Sequence, residues 1–319
     1  MGDRPDRALP KLALVSGGAG FVGHQVVLAL HREGVRVRVL DPAPAHPDWP
    51  PGVEHVRGDL LDPKVLHEAA KGVEGIFHVA GIWDHRPGGH ARMHALNVGG
   101  SEVMLALGIP TLCTSSSITC GFGPLHNPGH EDQPSEDPAN PIRGTGKVYR
   151  QTKLAIEALA RDHGALLVNP DYVVGPGDLH GVVTGPLLRA SRMPLIPAPR
   201  GGKCFVSARD VGIGHVLAWR HGQPGRKYLL GSENLPYLDV LRTLAELQGR
   251  RLRTLRLPRR LPGLLSHLPV IGGTAGAIEQ MNLARYRSNQ RAREELGFAP
   301  EPVIGALRAM VAEDRAIRR

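Results

Sequence analysis

Aromatic residues are scarce, at 4% of 319 positions, and none is interleaved with the arginines that crowd residues 250–260. Single-stranded nucleic acid, which needs stacking platforms, is therefore not an expected partner. Three cysteines, Cys113, Cys120 and Cys204, form no CxxC pair and leave an odd count. That usage fits a reducing, cytoplasmic setting rather than a disulfide framework. No apolar run approaches the ~20 residues of a membrane-spanning helix. Residues Met1 to Pro10 lack the apolar core of a secretory signal, and Asp6 stands where a myristoylated chain would carry Ser or Thr. No internal repeat or low-complexity tract stands out.

The net charge lies at one end. The formal net charge is +9, and residues 250–319 hold fourteen Arg and six acids, a net of +8. Arg250, Arg251, Arg253, Arg256, Arg259 and Arg260 precede the apolar run Leu261-Pro-Gly-Leu-Leu. A basic run beside an apolar one suits an anionic membrane surface or an acidic substrate group, and equally describes a solvated face. Peripheral membrane contact through this region is carried forward as an expectation.

The richest signal is residues 12–41: an apolar strand, the turn Gly17-Gly-Ala-Gly-Phe-Val-Gly23, a helical run, and a second strand ending in Asp41. Gly17 allows a tight turn, Gly20 lets a pyrophosphate approach the backbone, and Gly23 packs helix against sheet. The phosphates then rest on a helix N-terminus. Asp41 can accept both adenosine ribose hydroxyls and repel a 2′-phosphate, which favours NAD(H) over NADP(H). Arg36 and Arg38 leave a 2′-phosphate partner open.

Apolar, β-branched segments alternate with helical ones through the first half. Strands are expected at 11–16, 35–40, 53–56, 75–79, 110–115 and 165–169, and helices at 21–33, 63–71, 90–107 and 147–163. This pattern predicts an α/β fold, a Rossmann doubly wound parallel sheet, with a smaller C-terminal substrate-binding region. Residues 1–170 form the nucleotide-binding domain in this reading. Residues 171–319, rich in Pro and Gly at 175–202, form mainly a cap, with 204–220 and 227–232 returning to the sheet. Gly17, Asp41, Asp59, Ala80, Gly81, Ser115, Asn169 and Pro170 all fall at strand C-terminal ends, the edge where open α/β sheets bind ligands.

Tyr149 and Lys153 lie four apart, on one helix face. A neighbouring ammonium stabilises phenolate, so this pairing predicts a lowered Tyr149 pKa and an acid–base role. Ser117, ending the run Thr114-Ser-Ser-Ser117, is expected to hydrogen-bond the same substrate oxygen. Trp83, His85 and Arg86 leave the sheet beside the nicotinamide and are candidate substrate contacts, or simply a structural loop. His90 and His94 share a helix face but lack a third ligand at a familiar spacing, so no metal is expected.

These motifs, with Gly58-Asp-Leu60, His78-Val-Ala-Gly81, Asn97-Val-Gly-Gly and Gly175-Pro-Gly-Asp178, make the chain resemble an extended short-chain dehydrogenase/reductase of the NAD-dependent epimerase/dehydratase superfamily. The likeness runs over nearly the full length and is greatest to the branch of dihydroflavonol 4-reductases, 3β-hydroxysteroid dehydrogenases and hopanoid-associated epimerases. It implies Ser117, Tyr149 and Lys153 as catalytic residues, with Asn97 supporting the active site. It implies that Asp59 and Leu60 contact adenine, and it completes a cofactor set of Gly17, Gly20, Phe21, Val22, Gly23, Asp41, Asp59, Leu60, Ala80, Gly81, Ser115, Tyr149, Lys153, Asn169, Pro170 and Val173. Helices 90–107 and 147–163 resemble those that pair subunits in the superfamily, which implies a homodimer. Ile118-Thr119 replaces the acidic pair of sugar-nucleotide dehydratases, which argues against dehydration. Arg209 departs from the family pattern and is a candidate for what the cap recognises.

The leading expectation is an NADH-dependent oxidoreductase acting on a ketone, or the matching alcohol, of a largely apolar or polycyclic secondary metabolite. An NAD-retaining sugar-nucleotide or hopanoid-linked epimerase is the alternative, and a dinucleotide sensor without turnover is a third.

Overall fold

The computed structural model describes residues 6–84, 86, 88–137, 142, 144–179, 181–255 and 281–318. Its centre is a seven-stranded, all-parallel sheet. The strands are β1 (Leu12–Ser16), β2 (Arg36–Asp41), β3 (Glu54–Arg57), β4 (Gly75–His78), β5 (Thr111–Thr114), β6 (Leu166–Pro170) and, late in the chain, β10 (Leu229–Leu230), in the order β10-β6-β5-β4-β1-β2-β3. The chain winds outward from β1 through β2 and β3, then starts again on its other side at β4. The crevice at that reversal opens at the strand C-terminal ends, beside Gly17 and Ala80.

The strands form where apolar residues can be covered on both faces. All five residues of β1 are buried, as are all four of β4 and β5. One face is filled by Val26, Val27 and Leu30 of α1 (Phe21–Arg32) together with Val211 and Trp219 of α7 (Ala208–His221). Leu66 and Ala69 of α2 (Pro63–Ala70) and Met104 of α4 (Gly100–Leu105) fill the other. The helix expected at 90–107 is a composite: α3 (Gly89–Met93), a π-helical turn His94–Gly99, then α4. The long α5 spans Gly144–Asp162.

At Asp171 the chain leaves the large sheet. β7 (Tyr172–Val174) pairs instead with β9 (Gly202–Ser207), which also pairs with β11 (Glu233–Pro236) and β13 (Ala284–Arg285). The segment 204–220, expected to return to the large sheet, therefore divides: β9 belongs to the second sheet and only α7 packs on the first. Its hydrogen-bonding edges are taken by β7, β11 and β13, so it has none to offer β6. Within 227–232, β10 pairs with β6. The smaller region has its own core, built from Leu187 and Leu188 of α6 (Gly185–Arg192), Val240 and Leu244 of α8 (Tyr237–Leu247), and Leu307 and Met310 of α9 (Ile304–Ile317).

The two regions are clamped by a buried ion pair. Arg287, 3% exposed at its side chain, donates to Asp171, 0% exposed, at 3.0 Å and to the Gly121 carbonyl at 3.1 Å. In Arg287→Leu, Asp171 keeps only Lys203, at 3.7 Å, as a cationic partner among the described residues. Breaking such a pair from one side is expected to destabilise the fold by ~3 kcal/mol in urea unfolding, with much of that recovered in Arg287→Leu/Asp171→Leu. Equal stability of the single and parent proteins would contradict this.

Candidate active site

The β1–α1 turn is shaped for a dinucleotide. Gly17 holds φ +71°, and a Cβ there would sit 2.7 Å from the Ala80 Cα. A Cβ on Gly23 would lie 2.0 Å from the Gly17 carbonyl oxygen. The helix that follows has Gly20 as N-cap, with no side-chain capping bond and no acid in its first turn. Its leading N–H groups, including those of Phe21 and Val22, are thus left for an anion. These features fit a bound pyrophosphate.

Asp41, 7% exposed, accepts hydrogen bonds from the backbone N–H of Ala19 at 3.1 Å and of Ala43 at 2.8 Å. Its carboxylate is held beside the glycine turn with further lone pairs to offer. Arg36 and Arg38 are both engaged by Glu54, and Arg38 also donates to the carbonyls of Ala69 and Lys71. Asp59 is exposed and closes a local turn by accepting from Leu61 N at 3.0 Å, whereas the Leu60 side chain is buried against Gly100. Gly81 lines the crevice: a Cβ there would stand 3.3 Å from Lys153 Nζ.

The proton-handling groups meet at the end of β5, with one change of register. The serine hydroxyl that acts on the Tyr149 phenol, favouring its ionised form, is that of Ser116. Ser117 is 2% exposed and opens a single 3₁₀ turn, Ser117–Thr119. The cause is local: Ser116 is extended, at φ −159° and ψ 151°, and caps that turn, so it is the last residue to project from the strand end. Ser117 is the serine expected to share the substrate oxygen, and the structure sets Ser116 beside the phenol as a second candidate.

The electrostatics also differ from expectation. Burial pushes the Tyr149 phenol up to about 12, offset in part by the bond to Ser116. Lys153 does not lower it: its ammonium donates to the Thr114 carbonyl at 2.9 Å and lies 5.7 Å from the centre of the tyrosine ring. Burial draws Lys153 itself down to about 8, against Cys113 and Glu157, which favour its charged form. The thiols of Cys113 and Cys120 are pushed up to about 12 by burial, which leaves them packing groups rather than nucleophiles.

Asn97 sits in the π-helical turn, fully buried. Its carboxamide accepts from Ile82 N at 2.8 Å and donates to Ile82 O at 3.0 Å and Thr152 Oγ1 at 3.2 Å. It therefore ties the loop after β4 to the catalytic helix. Behind it runs a chain with one possible polarity. Ser101 donates to the Asn97 carbonyl, so His78 Nε2–H donates to Ser101; His78 Nδ1 then accepts from Ser16, which accepts from Ala80 N. A histidine inside an otherwise apolar strand was the only sequence signal for it.

Glu157 is a second group that spacing alone did not reveal. Buried four residues beyond Lys153, it accepts from Ser115 Oγ and Asn169 Nδ2, each at 2.7 Å, and from Thr119 Oγ1. The side chains of Ser115 and Asn169 are thereby committed to the framework under Ser116 rather than turned toward a cofactor. Asn169 also donates to the Ser116 carbonyl, at 3.2 Å. Pro170 ends β6, paired with β10, and Val173 is a core residue, 6% exposed.

Of the substrate candidates, Trp83 is brought to the site: 44% exposed, its ring is 4.9 Å from that of Tyr149. Arg86 is turned onto the buried carboxylate of Asp84, which Arg92 also engages. His85 lies outside the described residues. Arg209 is not brought beside Tyr149 and Trp83. It is exposed on α7, 4.0 Å from Glu301, and lines a separate recess with Gln25 and Glu313, because the first turn of α7 faces α1 and α9.

His24, His46 and Asp48 bring donor atoms within 4.8 Å of one another. The two imidazoles, however, are stacked at 3.6 Å with planes 12° apart, so their in-plane lone pairs run side by side rather than converge.

The model of the NAD dependent epimerase/dehydratase family matches residues 13–231. The chain is 29% identical to a putative dihydroflavonol 4-reductase of Synechocystis sp., over 94% of this chain and 93% of that one. It is 28% identical to the 3 beta-hydroxysteroid dehydrogenase/Delta 5-->4-isomerase of Mycobacterium tuberculosis, over 90% and 85%. The crystal structure of gox2253 superposes with a TM-score of 0.79 at 27% identity, covering 96% of this chain and 98% of that one. A short-chain dehydrogenase/reductase superfamily protein from Agrobacterium tumefaciens, solved with bound NAD, shares the fold with a TM-score of 0.70 at 23% identity, over 96% and 98%. With a family match that runs from the β1–α1 turn through β10, the chain belongs to the NAD-dependent epimerase/dehydratase family, the extended short-chain dehydrogenases/reductases, and is an NAD(P)-dependent enzyme of the reductase/dehydrogenase type.

Proposed function

We propose that the chain is an NADH-dependent ketone reductase, or the alcohol dehydrogenase of the reverse direction, acting on a largely apolar or polycyclic small molecule. The observation that carries this reading is the Ser116–Tyr149 hydroxyl pair beside the exposed ring of Trp83. The β1–α1 turn, with Gly17, Gly20 and Gly23, would hold the dinucleotide, whose nicotinamide would supply hydride to the carbonyl carbon. With its phenol pushed up to about 12, Tyr149 is neutral and able to donate at neutral pH. Ser116 and Tyr149 hydrogen-bond the carbonyl oxygen, stabilise the charge that develops on it, and Tyr149 passes its proton to the alkoxide. Lys153, anchored at the Thr114 carbonyl beside Gly81, would hold the nicotinamide ribose.

NADH is favoured by Asp41, which would face a 2′-phosphate, and by the engagement of Arg36 and Arg38 with Glu54. Fluorescence titration is expected to give at least ~10-fold tighter binding of NADH than of NADPH, since like charges brought together cost more than 1.4 kcal/mol. Equal affinities would count against the assignment.

A pH dependence follows from Lys153. Its ammonium is charged below about 8 and neutral above. The sign is therefore a fall in kcat/KM as pH rises through ~8, because that ratio reports groups of the free enzyme. A residual activity of Lys153→Met that is flat through this range would support the assignment, and an unchanged alkaline limb would refute it.

The reading is tested by following nicotinamide absorbance with NADH and a panel of steroid ketones, dihydroflavonols, simple cyclic ketones and UDP-glucose. Net NADH consumption with a polycyclic ketone supports it. Retained NAD with interconversion of a nucleotide sugar, and no net consumption, would replace it with the epimerase reading. Against the latter, Arg287, a cation suited to clamping a diphosphate, is already bound by Asp171 and the Gly121 carbonyl.

A further inference from the structure

Two stretches of this chain contain no acid at all. Residues 179–209 carry four Arg and one Lys, and residues 247–278 carry six Arg, with no Asp or Glu in either. The fold brings them together: β8 (Leu195–Pro197) and β12 (Arg253–Leu255) pair in parallel as a small two-stranded sheet, with Arg253 opposite Leu195 and Leu255 opposite Pro197.

The outward face of this ribbon has the wrong chemistry for water alone. Ile196 points inward and is 5% exposed, within the core of the smaller region. Its neighbour Leu195 is 50% exposed, Leu255 is 52% exposed, and Met193, just before β8, is 50% exposed. Arg253 stands opposite Leu195, Arg250 donates to the Arg192 carbonyl next to Met193 at 3.1 Å, and Arg251 lines a recess with Arg250, Arg242 and Glu246. None of Arg250, Arg251 and Arg253 forms an ion pair with a carboxylate among the described residues. Exposed apolar side chains beside arginines without ion-pair partners form the surface a peripheral protein presents to anionic lipid, apolar groups entering the headgroup region while guanidinium groups meet phosphates. A second copy of this face would bring arginine against arginine, which disfavours self-association.

We propose that the β8–β12 face of the cap docks on the surface of an anionic phospholipid bilayer. Charge complementarity selects that occupant, since both contributing strands come from acid-free sequence. Together with the proposed apolar substrate, this places the enzyme where such a molecule partitions; that last link rests on the reductase reading, whereas the docking does not.

The test is flotation of the full chain with vesicles of phosphatidylcholine alone and of phosphatidylcholine mixed with phosphatidylglycerol, at low and high salt. Binding is expected only to the anionic vesicles and is expected to weaken with salt. Each interfacial arginine is worth about fivefold in partitioning, so R250Q/R251Q/R253Q is expected to bind ~100-fold more weakly. M193S/L195S/L255S is expected to weaken the binding that survives at high salt. NADH affinity and circular dichroism of both variants report that the fold is intact. Should the triple arginine variant fail to fold, R251Q/R253Q serves, because those two side chains make no hydrogen bond or ion pair among the described residues. Its expected loss is ~25-fold. Absence of vesicle binding, binding indifferent to phosphatidylglycerol, binding unchanged in the variants, or a dimer dissociated by the apolar substitutions would each overturn the proposal. The assay contains no substrate, so its failure leaves the reductase reading standing.

Discussion

Tyr149→Phe is expected to lower kcat for ketone reduction by ~10³-fold while leaving NADH affinity within a few-fold of the parent, since a positioned general acid contributes ~10²–10⁴. The substitution removes one oxygen and keeps the ring that packs 4.9 Å from Trp83, so the pocket wall and the fold remain. Two contributions are lost together: the proton and one of two donors to the developing alkoxide. Ser116→Ala removes only the second donor and is expected to cost ~10²-fold, as for single oxyanion donors. Ser117→Ala, by contrast, changes a buried hydroxyl that opens the 3₁₀ turn, and its effect should appear in stability rather than in kcat. Equal losses of kcat at Ser116 and Ser117 would contradict the register assigned to this turn.

Gly23→Ala is expected to abolish measurable dinucleotide binding. The added Cβ would lie 2.0 Å from the Gly17 carbonyl oxygen and 2.7 Å from its carbon, and both are backbone atoms that no rotamer change can move. Relief requires the β1–α1 turn to open, and Gly17 is itself wedged against Ala80. The turn that presents the first N–H groups of α1 is then lost. A loss of NADH affinity of at least ~100-fold corresponds to a little under 3 kcal/mol, modest for such a clash. Gly34→Ala is the comparison: that glycine has positive φ but nothing within 4 Å of its would-be Cβ, so it should affect stability slightly and NADH binding not at all.

Much of this architecture was legible because its signals are local. The glycine turn, the acid ending β2 and the i,i+4 pair Tyr149 and Lys153 are fixed by spacing along one strand or one helix. The six expected strands form because apolar and β-branched runs in this chain are bounded by glycine and proline. What spacing does not encode is where the backbone turns after a strand. Three consecutive serines offer the same hydroxyl, and only the extended conformation at Ser116 decides which one meets Tyr149. Glu157 was hidden for a related reason: its partners Ser115, Thr119 and Asn169 are 38 to 42 residues back and 12 ahead, joined only by the convergence of β5, β6 and α5. Lys153 and Tyr149 have the right separation, yet the ammonium is drawn to the Thr114 carbonyl, so burial controls the phenol. The surroundings of Arg209 were not legible because the fate of β9 and α7 depends on strand pairing across the cap.

Hydride transfer itself can be followed in a single turnover with NADH deuterated at the transferable position of the nicotinamide and the best ketone of the panel. Deuterium is expected on the new carbinol carbon of a released alcohol, with NAD+ formed in equal amount and product formation slowed ~10³-fold in Tyr149→Phe. Deuterium remaining in the cofactor with no alcohol formed, while the protein loaded with NAD+ interconverts UDP-glucose with no net NADH, would contradict the reductase assignment.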